Sequence, residues 1–210
     1  MKNIWKVMAL LVISLVAAYT VQAQQKGDVT MHLNYNYSLP LGSFKSDIVS
    51  NGSPRGGTGD IMFSLNNKFS LGFASGYQDY YQKYPRSVYK LPDGEDISAV
   101  ISNSIQTVPV MAKGMYNFTG GKFSFIQPYV SLGAGMNLVN FKQYLGEFGS
   151  STNSVSFMAE AGAGVQIPFG RLSHSGLQLG ATYDYIPYTK NGYNNLNSVN
   201  FQVGVHFPIR

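Results

Sequence analysis

Five ionisable side chains stand out by where they fall. His32, Lys113, Glu160, Asp184 and His206 each occupy the polar phase of a run in which apolar and small polar residues alternate. Lys113 and Glu160 fall near the middle of their runs, so they can meet across a narrow interior. Such a pair either fixes register as a buried, paired core or forms part of a proton or ion path. The paired core is the expectation, because a narrow barrel leaves no channel. His32 and His206 lie near the ends of the first and last runs. Two imidazoles alone make a poor metal site, since structural zinc takes four ligands and catalytic zinc three. They are expected to be core histidines, and no metal or cofactor is expected.

Other chemistry has little support. His174 lies in Leu172-Ser173-His174-Ser175-Gly176, which reads as a turn. The sequence has no nucleophile-elbow serine, no phosphate loop and no acidic calcium cluster. Gly162-Ala163-Gly164 and Gly133-Ala134-Gly135 lie in strand-like runs with no helix after them, so these glycines make room for large neighbours and do not bind a dinucleotide. A non-enzymatic protein is expected. The remaining place for function is the connecting loops. In Tyr80-Tyr81-Gln82-Lys83-Tyr84-Pro85-Arg86, the residues Tyr80, Tyr81, Lys83, Tyr84 and Arg86 form a candidate surface for a glycan, a lipid headgroup or a protein.

The elements that must position these residues are strands. Val199, Phe201, Val203, Val205 and Phe207 alternate with Asn200, Gln202, Gly204 and His206, and seven earlier segments repeat the pattern. Connections alternate between long and short. The long ones are Pro40 to Thr58 and Tyr84 to Asn103, with a medium loop from Gly146 to Asn153 and another from Thr189 to Asn197. Asn51 to Gly57 reads as flexible by composition. Pro92-Asp93-Gly94-Glu95 reads as a turn between Val88–Leu91 and Asp96–Val100, extending strands three and four as a hairpin; the alternative is two more membrane strands, making ten. The expectation is an all-β, eight-stranded antiparallel up-and-down barrel.

Composition narrows the class. Only 12% of the 210 residues are charged, against about 25% in an average soluble domain. Gly numbers 23, Tyr 15 and Phe 13, and there is no Cys. Disulfides and thiolate chemistry are thereby excluded. At the start, Lys2 and Lys6 precede an apolar run from Val7 to Ala18 and small residues at Val21 and Ala23. This is a secretory signal peptide over 1–23, cleaved after Ala23; the run is too short to span a membrane. Losing Lys2 and Lys6 lowers the formal net charge from +5 to +3, too mild and scattered for nucleic acid.

The polar face decides which way the barrel turns. A soluble carrier barrel would cover its outside with Lys and Glu. Here the polar face is Gly, Ser, Asn, Thr and Gln, which suits a narrow interior, and the apolar face is left for lipid. Tyr35, Tyr37, Tyr77, Tyr81, Tyr183 and Tyr185 fall toward the long-loop end, and Phe69, Phe118, Phe123 and Phe207 toward the turn end, as interfacial girdles do.

Residues 27 to 210 resemble the outer-membrane β-barrel family of OmpA/OmpX-like, small porin-like proteins. The resemblance is carried by the signal peptide, by Tyr37-Ser38-Leu39-Pro40-Leu41-Gly42-Ser43-Phe44, by Val108-Pro109-Val110-Met111-Ala112-Lys113 and by the terminal strand. It implies residence in a Gram-negative-type outer membrane with both termini periplasmic, contact with outer-membrane lipid and long extracellular loops. Such chains often end in an aromatic residue, whereas this one ends Phe207-Pro208-Ile209-Arg210, which leaves that role to Phe207. The expected function is structural or surface-interacting through the loops, toward a glycan or protein, in a monomer. A narrow small-solute channel is the alternative, and a lipid-modifying enzyme a more distant one.

Overall fold

Strict two-residue alternation leaves each strand one apolar and one polar face, and closing the sheet on itself removes the open edges such strands would expose. The computed structural model describes residues 28–90, 96–120, 124–145, 148–170, 175–190 and 193–209. The expected leader, Phe123, His174 and the Pro92–Glu95 turn lie outside them. Eight strands form the barrel: β1 Val29–Pro40, β2 Ser53–Ser64, β3 Phe69–Lys83, β4 Ile101–Asn117, β5 Gln127–Leu145, β6 Phe148–Pro168, β7 Gly176–Tyr185 and β8 Ser198–Ile209. Each pairs antiparallel with its sequence neighbour, and β8 closes on β1 from Val29↔Ile209 to Pro40↔Ser198. The barrel has eight strands, not ten.

The faces follow the alternation. Leu132, Met136, Phe73, Phe157 and Val203 are exposed on the outside, while Asn34, Asn137, Thr182, Gln178 and Gln202 are buried inside. The six tyrosines expected at the long-loop end all point outward. Arg55 and Asp79 pair at 3.3 Å near that end of the outer wall. Below them the outward positions of β1, β2 and β3 carry no charge until Lys68 in the β2–β3 turn. That turn is held by Asn66, whose Oδ1 accepts the Lys68 and Phe69 amides, each at 2.8 Å.

Several expected loops are strand instead. Asn51 to Gly57 is not a flexible stretch, since β2 begins at Ser53. Glycine there lowers strand propensity, but cross-strand pairing to β1 and β3 overrides it. The expected medium loop after β5 is also strand from Phe148 onward: β5 and β6 form one long ribbon paired up to Leu145↔Phe148. Ser87–Lys90 pairs with Asp96–Ala99 as a separate two-stranded hairpin at the long-loop end. A second small hairpin joins Thr189–Lys190 to Tyr193–Asn194.

Candidate functional site: a filled interior and the long-loop face

At mid-height the interior holds an ionic layer. Lys113 Nζ lies 2.9 Å from Glu160 Oε1 and 3.2 Å from Asp60 Oδ2, with all three side chains almost fully buried. β4, β6 and β2 supply these groups, so one ammonium ties three separate strands across the lumen. Glu160 is the cross-strand neighbour of Asp184 on β7. Asn200 on β8 donates to Asp184 Oδ2 at 2.8 Å and to Thr182 Oγ1 at 3.1 Å. On the other side of Asp60, His32 is its register partner on β1 and also the partner of His206 on β8. The two imidazoles lie 5.9 Å apart, centroid to centroid, and both are buried. Of the five interior residues singled out by sequence, Lys113, Glu160 and Asp184 lie in this network, and His32 and His206 adjoin it through the register pairing of His32 with Asp60. Among the described residues, no group of three or more His, Asp or Glu is placed to hold a metal ion.

Asp60 is the member of this network that the sequence reading missed. It stands just before Ile61 at the edge of a glycine-rich stretch read as loop. Its signal was parity: Asp60 shares the inward phase with Met62.

Above the ionic layer the mouth is corked. The connection between β1 and β2 turns inward at Gly42, in the left-handed region at φ +57°, and winds a short π-helical turn over Phe44–Ile48. Phe44, Ile48 and Val49 are fully buried in a cluster with Tyr80, Ile105, Val139, Phe141, Met158, Ile186, Tyr188 and Leu196. Phe44 packs edge-on against Tyr80, with centroids 4.8 Å apart. The Ile48 carbonyl accepts from Tyr84 Oη at 3.0 Å and from Asn103 Nδ2 at 3.2 Å. The β7–β8 connection clamps the same loop: the Leu41 amide donates to the Asn197 carbonyl at 2.9 Å. Below the ionic layer, Met62, Met115 and Tyr129 form a second cluster. Gln166 joins it, its amide donating to Met115 Sδ at 3.7 Å and to Gln178 Oε1 at 3.4 Å.

The candidate loop surface divides between two faces. Tyr81, Lys83 and Arg86 are exposed, whereas Tyr80 is buried against the cork and Tyr84 is half-buried with its hydroxyl spent on Ile48. Tyr80 and Tyr84 are therefore cork residues, not loop-surface residues. β3 continues through Lys83, so alternation sends even-numbered residues inward even beyond the apolar band of the outer wall. Exposed Val88 adds an apolar point on the adjoining hairpin.

No curated protein matches the chain. Among solved structures, Neisserial surface protein A is 18% identical, with 87% of this chain and 97% of that chain covered at a TM-score of 0.50. Outer membrane protein OprG from Pseudomonas aeruginosa is 14% identical, with 90% and 99% covered, also at 0.50. At such identities the likeness is one of fold. The alternation, the closed barrel and the apolar outer wall converge with the match of residues 8–207 to the outer membrane protein beta-barrel domain, and the chain belongs to that family.

Proposed function

We propose that this outer-membrane barrel works at its long-loop face, in a structural or surface-interaction role, and not as a conduit. The observation that supports the reading is the filled lumen: apolar cork, ionic layer and methionine–tyrosine cluster follow one another along the axis. An eight-stranded barrel has room for side chains and little else. On this reading the leader through Ala23 is cleaved, the chain is monomeric, and both termini are periplasmic. Val29 and Ile209 pair at the turn end, which agrees with termini on one side of the membrane. The long loops are then extracellular.

The exposed set Tyr81, Lys83 and Arg86, beside the Ser87–Ala99 hairpin, is the part proposed to meet a glycan or protein ligand. Cations and tyrosine together suit an anionic sugar. Refolded barrel in liposomes, probed with sulfated and neutral glycans, tests it. The wild type is expected to retain a sulfated glycan, and the triple variant Tyr81→Ala/Lys83→Ala/Arg86→Ala to lose it; equal retention by both would sink the proposal. The second reading is a narrow channel. The feature that favours it is a small internal cavity beside Asp184. Planar-bilayer recording separates the two, since a corked barrel gives no steady conductance. We propose no enzymatic activity: the described histidines, His32 and His206, are both buried inside the barrel.

A further inference from the structure

The ionic layer is short of positive charge. Among the described residues, the barrel interior holds the carboxylates of Asp60, Glu160 and Asp184 but the ammonium of Lys113 alone. With neutral imidazoles the ionised layer carries two negative charges in excess. Uncompensated buried charge is among the costliest features a fold can carry.

A second observation lies beside it. Glu160 and Asp184 border a cavity of about 30 Å³, which Asn36, Asn137, Thr107 and Gln202 also line. A space of roughly 10–15 Å³ already admits an occupant the size of water. Asn137 is 1% exposed and Asn36 4% exposed. Among the described residues, neither Asn137 Oδ1 nor Asn36 Oδ1 meets a hydrogen-bond donor, and Asp184 Oδ1 also lacks one. Buried acceptors are seldom left without a partner. A proton on one carboxylate would reduce the charge but would serve one acceptor at a time. A hard cation serves several at once. Calcium takes six to eight oxygens, drawn from carboxylates, amide carbonyls and water.

We propose that Glu160, Asp184, Asn36 and Asn137 hold a divalent, oxygen-seeking cation of the calcium class inside the barrel. The donor set is two carboxylates with neutral amide oxygens, without imidazole or thiolate, so it disfavours zinc and copper. Its charge cancels the excess of the layer. Its ligands come from β6, β7, β1 and β5, so the ion links strands on opposite sides of the lumen. Lys113 holds Glu160 from the other side, with Asp60 as counter-charge.

The test unfolds the full chain in urea and refolds it in detergent with calcium, with terbium, or with chelator, then removes free ion. Tyr80, buried inside the barrel, lines the same cavity, which makes tyrosine-sensitised terbium emission a direct reporter. The wild type is expected to retain a single calcium per chain, to show sensitised emission that calcium competes away, and to melt at a higher temperature when refolded with calcium. Asp184→Asn is expected to weaken retention by more than the roughly tenfold that outer-shell substitutions cost metal sites. Asn137→Leu keeps every carboxylate and is also expected to weaken it, so it decides the matter if Asp184→Asn fails to refold. A wild type with no retained ion, no emission and calcium-independent melting would overturn the proposal in favour of protons or water. Equal retention by the wild type and Asn137→Leu would overturn it in favour of surface binding.

Discussion

At the scale of single residues, the interior is governed by pairing. Lys113 pairs with two buried carboxylates, Asp60 and Glu160, so its removal costs more than the pair contributes. Lys113→Met is expected to lower stability by about 3–5 kcal/mol, read as a fall in the urea midpoint of the detergent-refolded barrel. An unchanged midpoint would mean that Asp60 and Glu160 are compensated elsewhere. Tyr129 gives a steric counterpart. A Cβ on Gly180 would stand 2.6 Å from Tyr129 Oη, and one on Gly164 would stand 2.7 Å from it and 2.3 Å from the Leu179 carbonyl. Gly180→Val is therefore expected to cost about 1–3 kcal/mol by overpacking, with Gly180→Ala milder, measured in the same unfolding series. Gly164 was legible as a space-maker because it shares the inward phase of its strand. Lys113 and Glu160 were legible for the same reason. Asp60 was not, because the glycines before it look like loop, and only its pairing to His32 and Ala74 puts it in the wall.

Individual strands were readable where apolar residues alternate, and their ends were not. β3, β5 and β6 run on above the apolar band, where outward residues become polar and the contrast between faces disappears. Tyr80 shows the consequence. By composition it belongs to a basic aromatic loop, but as part of a continuing strand it faces inward and closes over Phe44. The cork itself could not be foreseen from Pro40–Gly52, because Phe44, Ile48 and Val49 become core only after the chain folds back into the mouth. Two predictions belong here. Phe44→Ala is expected to destabilise the barrel by about 3–5 kcal/mol in urea unfolding, while bilayer conductance stays absent because the ionic layer still blocks the lumen. Replacing the Ser87–Ala99 hairpin with a short Gly-Ser turn is expected to change stability by less than about 0.5 kcal/mol, since its ladder is separate from the barrel sheet. A large loss of stability would show that the hairpin braces the barrel.

For the whole molecule, the scarcity of charge is the fact from which the architecture follows. With 12% charged residues there are too few to cover a water-facing wall. The structure puts Gly, Ser, Asn and Gln inside, a continuous apolar surface outside, and tyrosines at the long-loop rim. Facing was legible, because it rests on a period-two pattern that tertiary context cannot reverse without flipping every side chain, whereas strand number stayed open between eight and ten until the Ser87–Lys90 and Asp96–Ala99 ladder proved separate from the barrel sheet. Leu132 is 69% exposed on β5. Leu132→Arg is expected to cost about 2–4 kcal/mol in a bilayer, and far less if that wall faced water. The central claim is that the polar face fills a sealed lumen while the apolar face meets lipid. The natural absence of Cys lets it be tested with single-cysteine spin labels placed one at a time along β5 from Val130 to Leu138 in liposomes. Collision with oxygen dissolved in the lipid is expected at Val130, Leu132, Ala134, Met136 and Leu138. Protection from both oxygen and a water-soluble relaxer is expected at Ser131 and Asn137. Access of the water-soluble relaxer to the second set would reveal an open channel, and its access to the first set would mean that this wall does not face lipid at all.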